Sequence, residues 1–283
     1  MSSSTDVTRF APSPTGYLHL GHAFSALVAW RRARDSGGRF LVRLEDIDPT
    51  RCRPEFTTAM LDDLAWLGIN WDGEVRVQSQ HLPDYRAALD KLAARGLLYP
   101  CFCTRADIQQ SAAAPHTPDG APLYPGTCRA LPADETAARI AAGVPHALRL
   151  DMQRALRFVP GTLAFEEEGE GTVICHPEQF GDAVLARKDA PASYHLCVTH
   201  DDALQGITLV TRGEDLKPAT HLHRLLQALM GWPAPRYAHH HLLTDASGRR
   251  LAKRDRAATL RELRAVGQTP EQVRELALGI RTS

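Results

Sequence analysis

The stretch RFAPSPTGYLHLGHA, residues 9–23, decides how this chain is read. It continues a short run, residues 7–12, with the look of a strand. It then opens into HAFSALVAWRRARDSG, where Phe24, Leu27, Val28 and Trp30 recur at helical spacing and Gly37-Gly38 makes a stop. Between strand and helix lie a Pro-rich turn, Gly16, and two histidines three apart, His19 and His22, flanking Leu20-Gly21. A helix N-terminus carries unpaired N–H groups and the positive end of the dipole, which suits a phosphate chain. Two imidazoles on one face can donate to phosphoryl oxygens, and Gly21 lets a flat base approach the backbone. Taken alone, two histidines at this spacing also fit a plain surface helix start.

The pattern around this stretch alternates strand and helix. FLVRLEDID, residues 40–48, begins with strand-like alternation. Pro54 and Glu55 then open a helix carrying Met60, Leu61, Leu64 and Leu67, and another helix covers residues 83–94. Such alternation predicts a doubly wound parallel sheet. Residues 101–181 break the pattern with four of the six cysteines and many prolines, and read as an inserted subdomain. From residue 182 the alternation resumes with YHLCVTHDDAL, the strand-like GITLVTRGEDL and a helix over residues 221–231. The expected division is residues 1–100 and 182–254 for the two halves of one α/β domain, 101–181 for the insertion, and 255–283 for a short helical tail. Thr269-Pro270-Glu271 is a good helix start in that tail.

Composition narrows the function classes. The chain has 283 residues, 43% hydrophobic and 23% charged, which is ordinary globular usage. Lys plus Arg and Asp plus Glu both number 33, so bulk positive charge cannot be the means of binding nucleic acid. Only Lys91, Lys188, Lys217 and Lys253 are lysines; the other basic residues are arginines. No run of 18 apolar residues and no secretory leader is present, so a cytoplasmic, reducing setting is expected, and metal binding or burial for the cysteines.

Two further constellations carry chemistry. Cys101 and Cys103 form C-x-C, and Cys128 lies 25 residues beyond Cys103. Three thiolates with a fourth ligand close a tetrahedral structural site, and from the residues alone His116 is the candidate fourth. Reduced cysteines packed in a loop would look the same. RLAKR, residues 250–254, is a basic run after LLTDASGR. Such a run is either a solvated face or a loop that lays Lys253 across phosphates. His239-His240-His241 fits a nucleotide-pocket lining or plain packing. Cys52, Cys175, Cys197, His195, His200, His221 and His223 have no ligand spacing.

Taken together, these strings resemble the class I aminoacyl-tRNA synthetases. RFAPSPTGYLHLGHA is similar to the glutamyl form of the first class signature, and RLAKR resembles the second, with Arg250 and Ala252 departing from the usual pattern. RLEDID, YPCFCTR, DDALQGITLVTRGEDL and LLQALMGW extend the likeness over most of the chain. The resemblance implies a Rossmann-like parallel sheet with an inserted zinc-bearing subdomain and a short helical C-terminal segment. It implies ATP binding by His19, Gly21, His22 and Lys253, with His19, His22 and Lys253 catalytic. It maps Arg9, Ala11, Ser13, Glu45, Tyr194 and Arg212 onto glutamate-binding positions. A bidentate Arg is the expected means of choosing glutamate over glutamine. It also supplies Tyr124 as the fourth zinc ligand beside Cys101, Cys103 and Cys128.

Only about 29 residues follow Arg254, too few for an anticodon-binding region, so the chain resembles the stand-alone glutamyl-Q tRNA(Asp) synthetase family. That resemblance implies ATP with Mg²⁺, L-glutamate and queuosine-containing tRNA(Asp) as partners, structural Zn²⁺, a monomer and no membrane. The alternatives are a shortened glutamyl-tRNA synthetase charging the 3′ end of tRNA(Glu), a non-catalytic RNA-binding paralogue, and a small-molecule ligase on the same fold.

Overall fold

The computed structural model describes residues 5–111, 116–118, 120–243 and 258–279. The chain opens with β1 (Val7–Phe10), α1 (Leu20–Asp35), β2 (Arg39–Leu44), α2 (Pro54–Trp66) and a short β3 (Arg76–Val77). Next come α3 (Leu82–Ala94), β4 (Leu98–Cys101), α4 (Arg105–Ser111), α5 (Ala133–Ala141), β5 (Ala147–Leu150) and α6 (Met152–Arg157). They are followed by β6 (Ala164–Glu167), β7 (Gly171–Ile174), β8 (Val184–Ala186) and α7 (Tyr194–Leu204). The last elements are β9 (Leu209–Gly213), α8 (Ala219–Met230), β10 (Arg236–His240), α9 (Leu260–Ala265) and α10 (Pro270–Ala277). Two compact units form: residues 1–80, 206–215 and 235–283, and residues 81–205 and 216–234.

The first unit is the parallel α/β layer that the alternation predicts. β1 pairs in parallel with β2, β2 with β3, and β10 with β9. β9 runs beside β1, where the Thr208 N–H donates to the Val7 carbonyl at 3.0 Å. The start of the β1–β2 pair needs Gly38, because a Cβ there would stand 1.9 Å from the Asp6 carbonyl oxygen. α1 lays Ala23, Phe24, Leu27 and Ala33 onto Phe10, Phe40, Val42 and Leu44. Leu260 and Val273, from α9 and α10, complete the same core. Each of these C-terminal helices starts with a threonine capping box, Thr259 with Glu262 and Thr269 with Gln272. The strand-like start of residues 40–48 ends at Leu44, where loop hydrogen bonds replace the ladder. The Glu45 N–H turns to the Pro12 carbonyl at 3.0 Å, and the Asp46 carboxylate accepts from the Ser79 N–H and hydroxyl at 2.8 and 2.6 Å.

The second unit is antiparallel. β4, β5 and β8 form one sheet, and β6 with β7 forms a hairpin. α3, α7 and α8 pack together, burying Tyr85, Leu89, Leu92, Leu196, Leu222, Leu225 and Leu226. A buried carboxylate fastens the sheet to α6. Asp182 accepts from Tyr99 Oη at 2.5 Å, from Arg129 Nη1 at 2.9 Å and from the Met152 N–H at 3.0 Å. No helix among the described residues is long and apolar enough to cross a membrane.

Candidate nucleotide and amino-acid site with a thiol cluster

The loop from β1 to α1 carries its histidines at the helix start. His19 is the N-cap, in extended conformation, and its Nδ1 accepts from the Gly21 N–H at 3.1 Å. His22 answers three residues on, its Nδ1 accepting from the His19 N–H at 3.3 Å. The rings meet with centroids 3.9 Å apart. This is a capping box made of two imidazoles, where Ser or Thr with Glu is usual. An Nδ1 that accepts a backbone N–H carries no proton, so the ring proton of each histidine sits on Nε2, the donor such a ring offers to a phosphoryl oxygen.

The loop is held from behind by the segment leading into α9. His19 forms a β-bridge with Thr259, and the Leu260 N–H donates to the Leu18 carbonyl at 2.8 Å. Arg261 Nη1 donates to Tyr17 Oη at 3.1 Å, with its guanidinium over the Tyr17 ring. The T-x-x-E pattern of Thr259 and Glu262 marks this anchor in the sequence. Lys253, Arg250 and Ala252 lie outside the described residues. Lys253 is six residues from Thr259, a reach of at most about 21 Å.

Three expected glutamate contacts gather at the carboxyl ends of neighbouring strands, where ligands of open α/β sheets bind. Arg9, on β1, is buried and its Nη1 donates to the Thr211 carbonyl at 3.2 Å. Arg212 follows on β9, also buried; its Nε donates to His239 Nε2 at 3.1 Å, and its guanidinium lies over the Tyr237 ring. His239 therefore orients Arg212 from β10, a role its place in a run of three histidines did not single out. Glu45 follows β2 directly and is buried, with Arg43 Nη2 at 3.4 Å from its Oε1. Ser13 is exposed and Ala11 half-buried in the loop after β1. Tyr194 belongs to the second unit. It is the first residue of α7, next to the Ser193 N-cap, and its ring meets those of His195 and His223 edge-on. His195 Nδ1 and His223 Nε2 share a hydrogen bond of 3.1 Å.

The second unit brings the thiols together. The Sγ atoms of Cys101, Cys103 and Cys128 all lie within 4.8 Å of one another, with Cys103 and Cys128 at 3.5 Å. Tyr124 Oη is 3.7 Å from Cys103 Sγ and accepts the Cys128 N–H at 2.8 Å. His116 is exposed and forms a bridge with Pro122, and it is not part of this group. Zinc–sulfur bonds of about 2.3 Å in a tetrahedron set sulfurs about 3.8 Å apart, so the donor spacing fits such an ion. The electrostatics fit as well. Burial pushes the Cys103 thiol up to about 11. Burial also raises the Tyr124 phenol, assisted by hydrogen bonds with Cys101 and Cys128. Cys128 feels the same burial, but hydrogen bonds from Tyr124 and the Phe102 amide outweigh it and lower its value. Four acidic groups converging in a buried place suit a cation. The Arg149 guanidinium, 3.8 Å from the centre of the Tyr124 ring, adds positive charge behind the phenol.

Residues 6–279 match the family model described as tRNA synthetases class I (E and Q), catalytic domain. The chain is 51% identical to the glutamyl-Q tRNA(Asp) synthetase of Rhodobacter capsulatus, over 95% of this chain and 99% of that one. It is 46% identical to the protein of the same name from Nocardia farcinica, over 94% and 81% of the two chains. Among solved structures it is similar to a glutamate tRNA ligase from Elizabethkingia meningosepticum in complex with its amino acid. The TM-score is 0.75 at 28% identity, over 89% of this chain and 53% of the ligase. The chain thus spans about half the length of that ligase.

Proposed function

We propose, for a chain that belongs to the class I glutamyl and glutaminyl tRNA synthetases and within them to the glutamyl-Q tRNA(Asp) synthetases, that it activates L-glutamate with ATP and transfers the glutamate to queuosine in the anticodon of tRNA(Asp). The catalytic-domain model of that class covers residues 6–279, and the first unit carries its parallel sheet. The observation that carries the reading is the meeting of Arg9, Arg212 and Glu45 at adjacent strand ends, on the unit whose α1 begins with the two-histidine cap.

In the first step a glutamate α-carboxylate oxygen attacks the α-phosphorus of ATP. The bond from that phosphorus to the β-phosphate bridging oxygen breaks, and pyrophosphate leaves. His19 and His22 donate Nε2–H to phosphate oxygens, and Lys253 follows the charge onto the leaving pyrophosphate. Mg²⁺ bound with ATP supplies neutralising charge at the phosphates. Arg9 pairs with the substrate side-chain carboxylate. Its buried guanidinium selects against glutamine, whose amide nitrogen cannot accept from it. Glu45 takes the ammonium and Arg212 holds a carboxylate group; the family likeness gives Tyr194, Ser13 and Ala11 further glutamate-binding roles. In the second step a cyclopentene-diol hydroxyl of queuosine attacks the carbonyl carbon of the mixed anhydride. The carbon–oxygen bond to AMP breaks, and the adenylate phosphate takes the proton.

Cys101, Cys103, Cys128 and Tyr124 would hold zinc as a structural ion that ties the 120–132 loop to the end of β4. The expected setting is the cytoplasm, where ATP and tRNA meet. The test is exchange of labelled pyrophosphate into ATP with glutamate and no RNA. Exchange with glutamate and none with glutamine is expected. No exchange by folded, metal-replete protein would overturn the reading.

A further inference from the structure

We propose that Arg95, Arg154, Arg157 and Phe158, in the second unit, form the surface that takes unpaired nucleotides of the RNA substrate. The proposal rests on the function above for its partner and on the patch itself for its place. The helix α6 starts on Asp151, whose carboxylate accepts the Arg154 N–H at 2.9 Å. One turn then presents Arg154 and Arg157, three apart and both exposed. Phe158 ends the helix and stands 45% exposed, an unusual place for a large aromatic ring.

Arg95 backs that ring. Its guanidinium carbon is 4.9 Å from the Phe158 ring centre, and its Nη1 donates to the Leu229 carbonyl, which fixes it there. Gly96 leaves room for the third cation, since a Cβ on it would stand 3.3 Å from Arg154 Nη1. None of these three guanidiniums pairs with a carboxylate among the described residues; the Arg157 side chain bonds only the Gln153 carbonyl, at 3.3 Å. Other arginines of this unit are neutralised, as in Arg86–Asp90, Arg139–Glu135 and Arg187–Asp189.

In a chain of zero net charge, three unneutralised guanidiniums around one exposed ring make a local field of the sign phosphate needs. The ring, braced by Arg95, offers a flat apolar face. That combination suits a base that is not already stacked in a duplex, with its phosphates on the arginines. An anionic membrane or an acidic peptide would use the charge but not the single flat ring.

The test is binding of an RNA stem-loop with the tRNA(Asp) anticodon sequence to the full chain, followed by fluorescence anisotropy over a range of salt. Pyrophosphate exchange is measured in parallel. Phe158→Ala is expected to weaken binding at least about fivefold, and Phe158→Tyr to restore it. Arg154→Gln with Arg157→Gln is expected to flatten the slope of log affinity against log salt by roughly 1.4, two single-strand phosphate contacts. Exchange is expected to stay at the parent rate in every variant. If the parent charges tRNA(Asp) while the variants bind the stem-loop as it does, the patch is overturned and the function stands. A parent that binds no stem-loop overturns both the patch and the RNA half of the function. Loss of binding to phosphatidylserine vesicles, with RNA binding unchanged, would reassign the patch to a membrane.

Discussion

His19 and His22 meet with ring centroids 3.9 Å apart, and Cys103 and Cys128 meet with sulfurs 3.5 Å apart, but different forces hold the two pairs. The histidines are held by the backbone. Each Nδ1 satisfies an N–H that the helix start leaves without a partner, so the loop takes its working shape from local hydrogen bonding. The thiols are brought together where residues 101–103 meet Cys128, with the Phe102 N–H donating to Cys128 Sγ at 3.3 Å, and burial there opposes the thiolate form of Cys103. Burial that raises the Cys103 thiol to about 11 is what a bound cation would offset. The nucleotide loop is therefore expected to form without a ligand, and the thiol cluster to need one.

The largest effect that can break this contrast is on the metal. Cys103→Ser, or a strong chelator, is expected to remove one zinc per chain and cost roughly 3 kcal/mol or more, a fall in Tm of about 10 °C. Metal analysis beside calorimetry checks it; an unchanged Tm with metal gone would put the cluster on a par with the loop. On the loop side, Lys253→Ala is expected to slow glutamate-dependent exchange by about 10²-fold with Tm unchanged, the scale of losing one charged transition-state donor. A near-parent rate would remove its role. His22→Asn sharpens the contrast, because an amide oxygen can still cap the helix while Nε2–H is gone. A roughly tenfold lower exchange rate with parent stability is expected, whereas His22→Ala should lose about 1 kcal/mol of stability as well.

The smallest effect concerns a buried acid whose desolvation Arg264 and Arg261 offset only in part. Asp63, on α2, has a carboxylate oxygen, Oδ2, without a hydrogen-bond partner among the described residues, and burial raises its pKa to about 6. In the folded protein it is protonated between about pH 4 and pH 6, where the unfolded chain has lost that proton. Folding thus takes up a proton in that window, and this contribution to stability is lost as pH rises through 6. Asp63→Asn is expected to gain about 1–2 kcal/mol over the parent above pH 7 and little near pH 4, as urea unfolding at the two pH values would report. Equal gains at both would contradict the assignment.

Much of the first unit was legible because its residues obey local rules. β1, α1, α2 and α10 follow from apolar spacing, Pro at the first turn and Gly after the last. The histidines and cysteines were legible as spacing, though spacing alone pointed to His116 where the structure brings the Tyr124 hydroxyl to the thiols. What escaped depends on distant chain. Nothing local ties His239 to Arg212, Arg261 to Tyr17, or Arg149 to the face of Tyr124. The helix α5 escaped for the opposite reason: it buries none of its residues, so no core contact marks it out.

The measurement that bears most directly on the central claim is transfer of labelled glutamate to tRNA(Asp) with and without queuosine, scored as acid-precipitable label. Label on the queuosine-containing tRNA, none on the unmodified one and none on tRNA(Glu) is the predicted result. Equal labelling of both forms of tRNA(Asp), or labelling of tRNA(Glu) at its 3′ end, would contradict it.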